Sequence, residues 1–169
     1  MCHGVCSFPP LGRSLGADSA TIDRPTRYSL SDVTIALDEP ACAFIPCPSY
    51  TVSIHGDGRV VYEGRQNVEN LGQREAKIDP ERVLELLKQI YSVGFFSMSD
   101  DYTYSQGVMM FQGEVVETKN VVTDTSATAI SVSIEHYQKR IAWSTLTPEA
   151  LLTIRSRIKE VSGVDRWIK

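Results

Sequence analysis

Apolar and polar residues alternate along several short stretches of this chain with a period of two. Val33, Ile35 and Leu37 are separated by Thr34, Ala36 and Asp38, the pattern of a half-buried strand. Tyr50, Val52 and Ile54 repeat it, and Asp57-Gly58 then supplies the positive φ that a tight hairpin turn requires. Val60, Val61 and Tyr62 make the return strand, and Gln73 to Ile78 reads as a fourth. Residues 113 to 123 read as a further strand. Ile130, Val132 and Ile134 pair with Ile141 and Trp143 across a short connection near Tyr137-Gln138. Between these groups the segment SMSDDYTYSQG has no clear period and reads as a polar, aromatic loop.

Twice the period changes to that of a helix. Asp79-Pro80-Glu81 offers an N-cap, a proline at the first helical position and an acid near the positive end of the dipole. Val83, Leu84, Leu87, Ile90 and Tyr91 then form an apolar stripe, Gly94 ends it, and Phe95-Phe96 are placed to plug the core. Thr147-Pro148-Glu149 repeats the start signal. Leu151, Ile154, Ile158 and Val161 form the second stripe, with Gly163 as C-cap and Trp167 placed to fold back onto helix or sheet. The order strands, helix, strands, helix with short turns predicts an α+β two-layer sandwich. Its sheet is mainly antiparallel, with about five to seven strands and two helices packed on it. Residues 1–29, rich in Gly, Ser, Pro and Arg, read as a disordered or loosely packed lead-in to a single domain over residues 30–169.

The formal charge of -4 changes the picture by exclusion. No basic stripe rises above the acidic background, so nucleic acid is not an expected partner. No apolar run reaches the length of a membrane-spanning helix. The start reads as lacking a signal peptide, because Arg13 is its one early basic residue and no apolar region follows.

Candidate chemistry is sparse. The four cysteines fall into two pairs, Cys2 with Cys6 and Cys42 with Cys47, a pattern compatible with disulfides in an oxidising compartment. Cys42 and Cys47 admit three readings: a structural bridge clipping the approach to the hairpin, a thiol–disulfide exchange pair, or metal ligands. Exchange pairs use Cys-x-x-Cys at a helix N-terminus, whereas this spacing is longer and a strand follows. The structural reading leads. Zinc would need four ligands, and neither His55, His136 nor Cys2-His3-Gly4-Val5-Cys6 has a zinc spacing, so no metal is expected. Gly56-Asp57-Gly58 lacks the Lys-Ser/Thr ending and following helix of a phosphate loop, and no other cofactor motif is present. Asp100, Asp101, Asp124 and Glu135, with His136, are the groups that could converge for acid–base catalysis, although short acids more often cap turn amides. Tyr102, Tyr104, Met109 and Met110, in the 99–112 segment, are candidates for a binding surface. The leading expectation is a non-catalytic binding or interaction module with a Cys42–Cys47 clip, its partner, protein or small ligand, left open. The alternatives are a small enzyme with a carboxylate site, or a thiol or metal protein built on the two cysteines.

Cys42, Cys47, Pro48 and Tyr50 form a Cys-loop-Cys-Pro-x-Tyr opening, and Ile54 through Gly64 spell an I-x-GDG-x-V-x-Y-x-G hairpin. Thr123-Asp124 follows in mid-chain, and a closing helix carries Ile154, Ile158 and a late Trp167. In these residues the chain resembles the bacterial domain of unknown function family number 6438, over residues 32 to 168. The family loop usually holds three residues between its cysteines, often Phe-Gly-x, where this one has four and no glycine. The resemblance implies a fold and often an extracytoplasmic setting, in the cell envelope or periplasm. It implies no activity.

Overall fold

Alternation in the sequence becomes one dry and one wet face of a sheet. The computed structural model describes residues 23–42, 45–121, 126–144 and 147–169. In chain order its elements are β1 (Val33–Glu39), β2 (Ser49–His55), β3 (Arg59–Gln66), β4 (Gly72–Lys77), α1 (Pro80–Ser92), β5 (Asp101–Tyr102), β6 (Tyr104–Phe111), β7 (Glu114–Val121), β8 (Thr128–Ile134), β9 (Tyr137–Trp143), α2 (Glu149–Ser162) and α3 (Asp165–Ile168). Val33, Ile35 and Leu37 of β1 are buried, whereas Thr34, Ala36 and Asp38 are only half-buried. Tyr50, Val52, Ile54, Val60, Tyr62, Ile130, Val132, Ile134, Ile141 and Trp143 continue the dry face, which the two long helices cover. The result is the expected two-layer α+β arrangement.

Strand order in the main sheet is β4-β3-β2-β1-β8-β9-β5. Neighbours are antiparallel except β5 with β9. β1 is central: Ile35 lies opposite Ile54 of β2 on one side and Val132 of β8 on the other. The glycines of the first hairpin do more than turn the chain. Gly58 has φ 88°, but Gly56 is required by proximity, because a Cβ there would lie 1.5 Å from the Leu30 carbonyl oxygen.

The Asp79 side chain accepts a hydrogen bond from the Glu81 N–H at 3.0 Å, as an N-cap should. The buried stripe of α1 is Val83, Leu86, Leu87 and Ile90, the i, i+3, i+4, i+7 set. Leu84 and Tyr91, expected in that stripe, sit one helical step to its side and line a groove of about 520 Å³ with Tyr28 and Lys88. Tyr28 shares a 2.8 Å hydroxyl–hydroxyl hydrogen bond with Tyr91, and the Arg24 guanidinium lies over the Tyr91 and Phe96 rings. Thus Arg24 and Tyr28, within the segment read as lead-in, pack on the domain. Residues 1–22, including Cys2 and Cys6, lie outside the described residues.

The second helix begins one residue later than the sequence suggests. Pro148 occupies the cap position, and the Thr147 hydroxyl donates to the Ser144 carbonyl instead of capping the helix. Its stripe of Leu151, Ile154, Ile158 and Val161 is buried as expected. Trp167 folds back to stack on Tyr62, with ring centroids 5.0 Å apart, and its carbonyl accepts from the backbone and side-chain amides of Asn70.

Candidate functional site

The segment read as a loop is where the structure departs most from the sequence reading. Residues 101–102 join the main sheet as β5, and 104–111 form β6, paired with β7 in a separate two-stranded sheet. Alternation marks a strand with one dry face. A strand wet on both faces has no reason to alternate, and β6 is such a strand. Gln112 and Gly113 close the hairpin with φ of 52° and 85°, the two positive values of a type I′ turn.

Directly opposed residues share a face. Val108 and Met110 therefore project with Val115 and Glu117, and Met109 and Phe111 with Val116 and Glu114. The apolar members are exposed on both faces, with Val108 at 72%, Met110 at 66% and Val115 at 70%. Nearer the base, Tyr104 is half-buried and carries the Lys119 ammonium 3.6 Å from its ring centroid. Tyr102, also half-buried, packs against the main core. Of the proposed binding-surface residues, Met109 and Met110 thus lie on the outer arm, and the two tyrosines at its root.

A second constellation, which the sequence reading missed, lies where β1 and β2 meet the cysteine loop. Glu39 follows Leu37 on the dry face, so its carboxylate is buried. Arg155 of α2 meets it with two nitrogens, Nε to Oε1 and Nη2 to Oε2, the latter at 3.0 Å, and Thr128 donates to Oε2 at 3.4 Å. The Glu39 hydrogen bond holds the Arg155 guanidinium above its already high ordinary value. Beside it the Tyr50 hydroxyl is buried without a hydrogen-bond partner among the described residues. Burial, reinforced by the Glu39 charge, pushes this phenol well above its ordinary value. On the other side of the strands Arg65 donates to the carbonyls of Glu39 and Tyr50, at 2.8 and 3.0 Å, and pairs with Asp38. Cys42 and Cys47 are disulfide-bonded with Cα atoms 5.6 Å apart, and Asn67 donates to the Cys47 carbonyl. Both Glu39 oxygens are engaged, so this cluster acts as a clasp between sheet and helix. A Glu before the loop and an Arg on the helical stripe's flank carry no local pattern that would have announced it.

Two of the catalytic candidates have local partners. Asp100 pairs with Lys139, which also donates to the Met98 carbonyl at 2.6 Å. Asp101 accepts from the Thr103 N–H and hydroxyl, at 2.8 and 2.6 Å, and these bonds hold its carboxyl below the usual range. His136 and Glu135 are exposed in the β8–β9 turn. Asp101 lies beside Ala142, six residues along β9, which separates it from that turn by roughly 20 Å. Asp124 lies outside the described residues. Among the described residues no group of three or more His, Cys, Asp or Glu side chains could hold a metal ion. No described helix is long and apolar enough to cross a membrane.

Fold and site together define a two-layer α+β domain that carries a disulfide-clipped strand loop and a free-standing apolar hairpin. Over residues 33–162 the chain matches the family described as Domain of unknown function (DUF6438), and it belongs to that family. No curated protein and no solved structure gave a match.

Proposed function

We propose that the domain is a non-catalytic interaction module and that the β6–β7 hairpin is its binding element. The observation that supports this is the set of six exposed apolar side chains, Val108, Met109, Met110, Phe111, Val115 and Val116, on both faces of one arm. Contiguous exposed apolar surface of this kind marks interaction sites. Covering what these six expose is worth about 5–10 kcal/mol gross, before the cost of association. An isolated two-stranded hairpin is marginal in water, so a partner that covers it also orders it. The carboxylate alternative is disfavoured because Asp100 and Asp101 are each engaged in a local contact away from His136.

The test is site-specific photo-crosslinking in the native host, with the probe at Met110 and, as control, at Glu85 on the exposed side of α1. A discrete adduct is expected from position 110 and none from position 85. Absence of any adduct from 110 would end the proposal.

A further inference from the structure

The hairpin has two edges unpaired among the described residues, and the charges on one of them specify a partner. We propose that β7 pairs edge to edge and antiparallel with β7 of a second copy of this chain, about a two-fold axis at Thr118. Glu117 then lies opposite the partner's Lys119, and Lys119 opposite the partner's Glu117. The inference goes beyond that binding role: it uses the β7 edge and leaves the apolar side chains on both faces of the arm open to another partner.

The register follows from the turn. In a two-residue hairpin the residues flanking the turn, here Phe111 and Glu114, exchange ladder hydrogen bonds. Alternation then directs the N–H and C=O groups of Val115, Glu117 and Lys119 outward along β7. A two-fold axis at Thr118 opposes Glu117 and Lys119 across that edge, both outward-directed and both on the same face. The axis moved one residue to Glu117 would oppose two carboxylates, and moved to Lys119 two ammoniums, and like charges directly opposed are destabilising. Charged side chains ordinarily discourage edge pairing. Here their spacing favours this register over its two immediate neighbours. Glu117 and Lys119 are both exposed, and a depression of about 540 Å³ runs along the same stretch, lined by Gln106, Val108, Glu117, Thr118 and Lys119.

Competing edges and occupants fit less well. The outward positions of β6 are Gln106, Val108 and Met110, which carry no charge and select no register. In the main sheet β4 displays Arg74, Glu75 and Lys77, and β5 is two residues long, so both edges are blunted. A lipid bilayer would receive the apolar side chains but leave the backbone groups of both hairpin edges unsatisfied in hydrocarbon.

Sedimentation of the purified full chain over a wide concentration range tests this. The wild type should show a reversible monomer–dimer equilibrium. Glu117→Lys and Lys119→Glu each turn both cross-strand pairs repulsive and should weaken dimerisation about tenfold or more. An equimolar mixture of the two variants makes every pair opposite in charge and should recover association, as should the double reversal. A hairpin merely damaged by substitution would not be restored by mixing. The inference is overturned by a monomeric wild type, by single reversals that dimerise like the wild type, or by a mixture that stays apart. A monomeric wild type that still yields a Met110 adduct to another protein in cells sinks the second-copy inference and leaves the binding role standing. A monomer with no adduct sinks both.

Discussion

Removing the Cys42–Cys47 bridge is the perturbation whose size the structure predicts most directly. The two cysteines are five apart in sequence, so the bridge closes a very short loop. Loop-closure entropy for such a length stabilises the native state by about 2 kcal/mol, acting through the unfolded chain. The native loop keeps its other anchors in the absence of the bridge: Asn67 still holds the Cys47 carbonyl, and Arg65 the carbonyls of Glu39 and Tyr50. Little native-state rearrangement should therefore add to the entropic effect. Unfolding entropy for a domain of this size is about 0.3 kcal/mol/K near the midpoint, which converts the loss to a fall in Tm of about 7 °C. The assay is thermal unfolding of a Cys42→Ser/Cys47→Ser variant beside the oxidised wild type, each with and without reductant. Reductant should lower the wild type to the variant and leave the variant where it is. A variant that melts with the oxidised wild type would refute the structural role. A variant that responds to reductant as strongly as the wild type would move the effect to Cys2 and Cys6.

Two further outcomes follow from buried and half-buried charge. In the clasp, Glu39 is 8% exposed and Arg155 38%, so the partners are unequal. Arg155→Ala strands a buried carboxylate and should cost about 3–4 kcal/mol in urea unfolding, whereas Glu39→Ala leaves a guanidinium that water can reach and should cost about 2; equal or reversed costs would refute the asymmetry. His55, whose ring nitrogen bonds Thr34 at 3.2 Å, is held below its ordinary value of 6.5 by burial and then by Arg59. As pH falls the unfolded chain therefore takes up this proton first, so stability is full above 6.5 and declines as pH drops toward the folded value. His55→Asn should flatten that part of the stability profile, and a variant profile parallel to the wild type would show that His55 is not the group responsible.

Most of the scaffold was legible because burial imposes a period. β1, β2, β3, β8 and β9 each put one face in the core, and their alternating residues announced them. The Asp79 cap was legible because its chemistry is local. Leu86 was missed and Leu84 and Tyr91 over-counted because several stripes fit one amphipathic helix, and only packing against α2 and the sheet chooses between them. The hairpin was half legible. Its return strand was anticipated, but β6 obeys no period because neither of its faces is dry, and its clearest signal was the Gln112-Gly113 pair between two apolar runs. The Glu39–Arg155 clasp joins residues 116 positions apart, and no local rule reaches that far.

The central position of β1 has a consequence for the order in which this molecule assembles. Its two neighbours come from different times in synthesis: β2 follows almost at once, whereas β8, which sets Ile134 opposite Val33, arrives only after α1 and the hairpin have been made. Until then one side of β1 is an open edge, and closing it requires bringing together distant segments, the slow kind of contact. The β6–β7 hairpin, by contrast, is wholly local and can form in microseconds. In the growing chain the two strands of the arm can meet before the scaffold that carries them is closed. Its apolar tip meets the surroundings while the edge of β1 is still open, so chaperones or a premature partner would encounter both together.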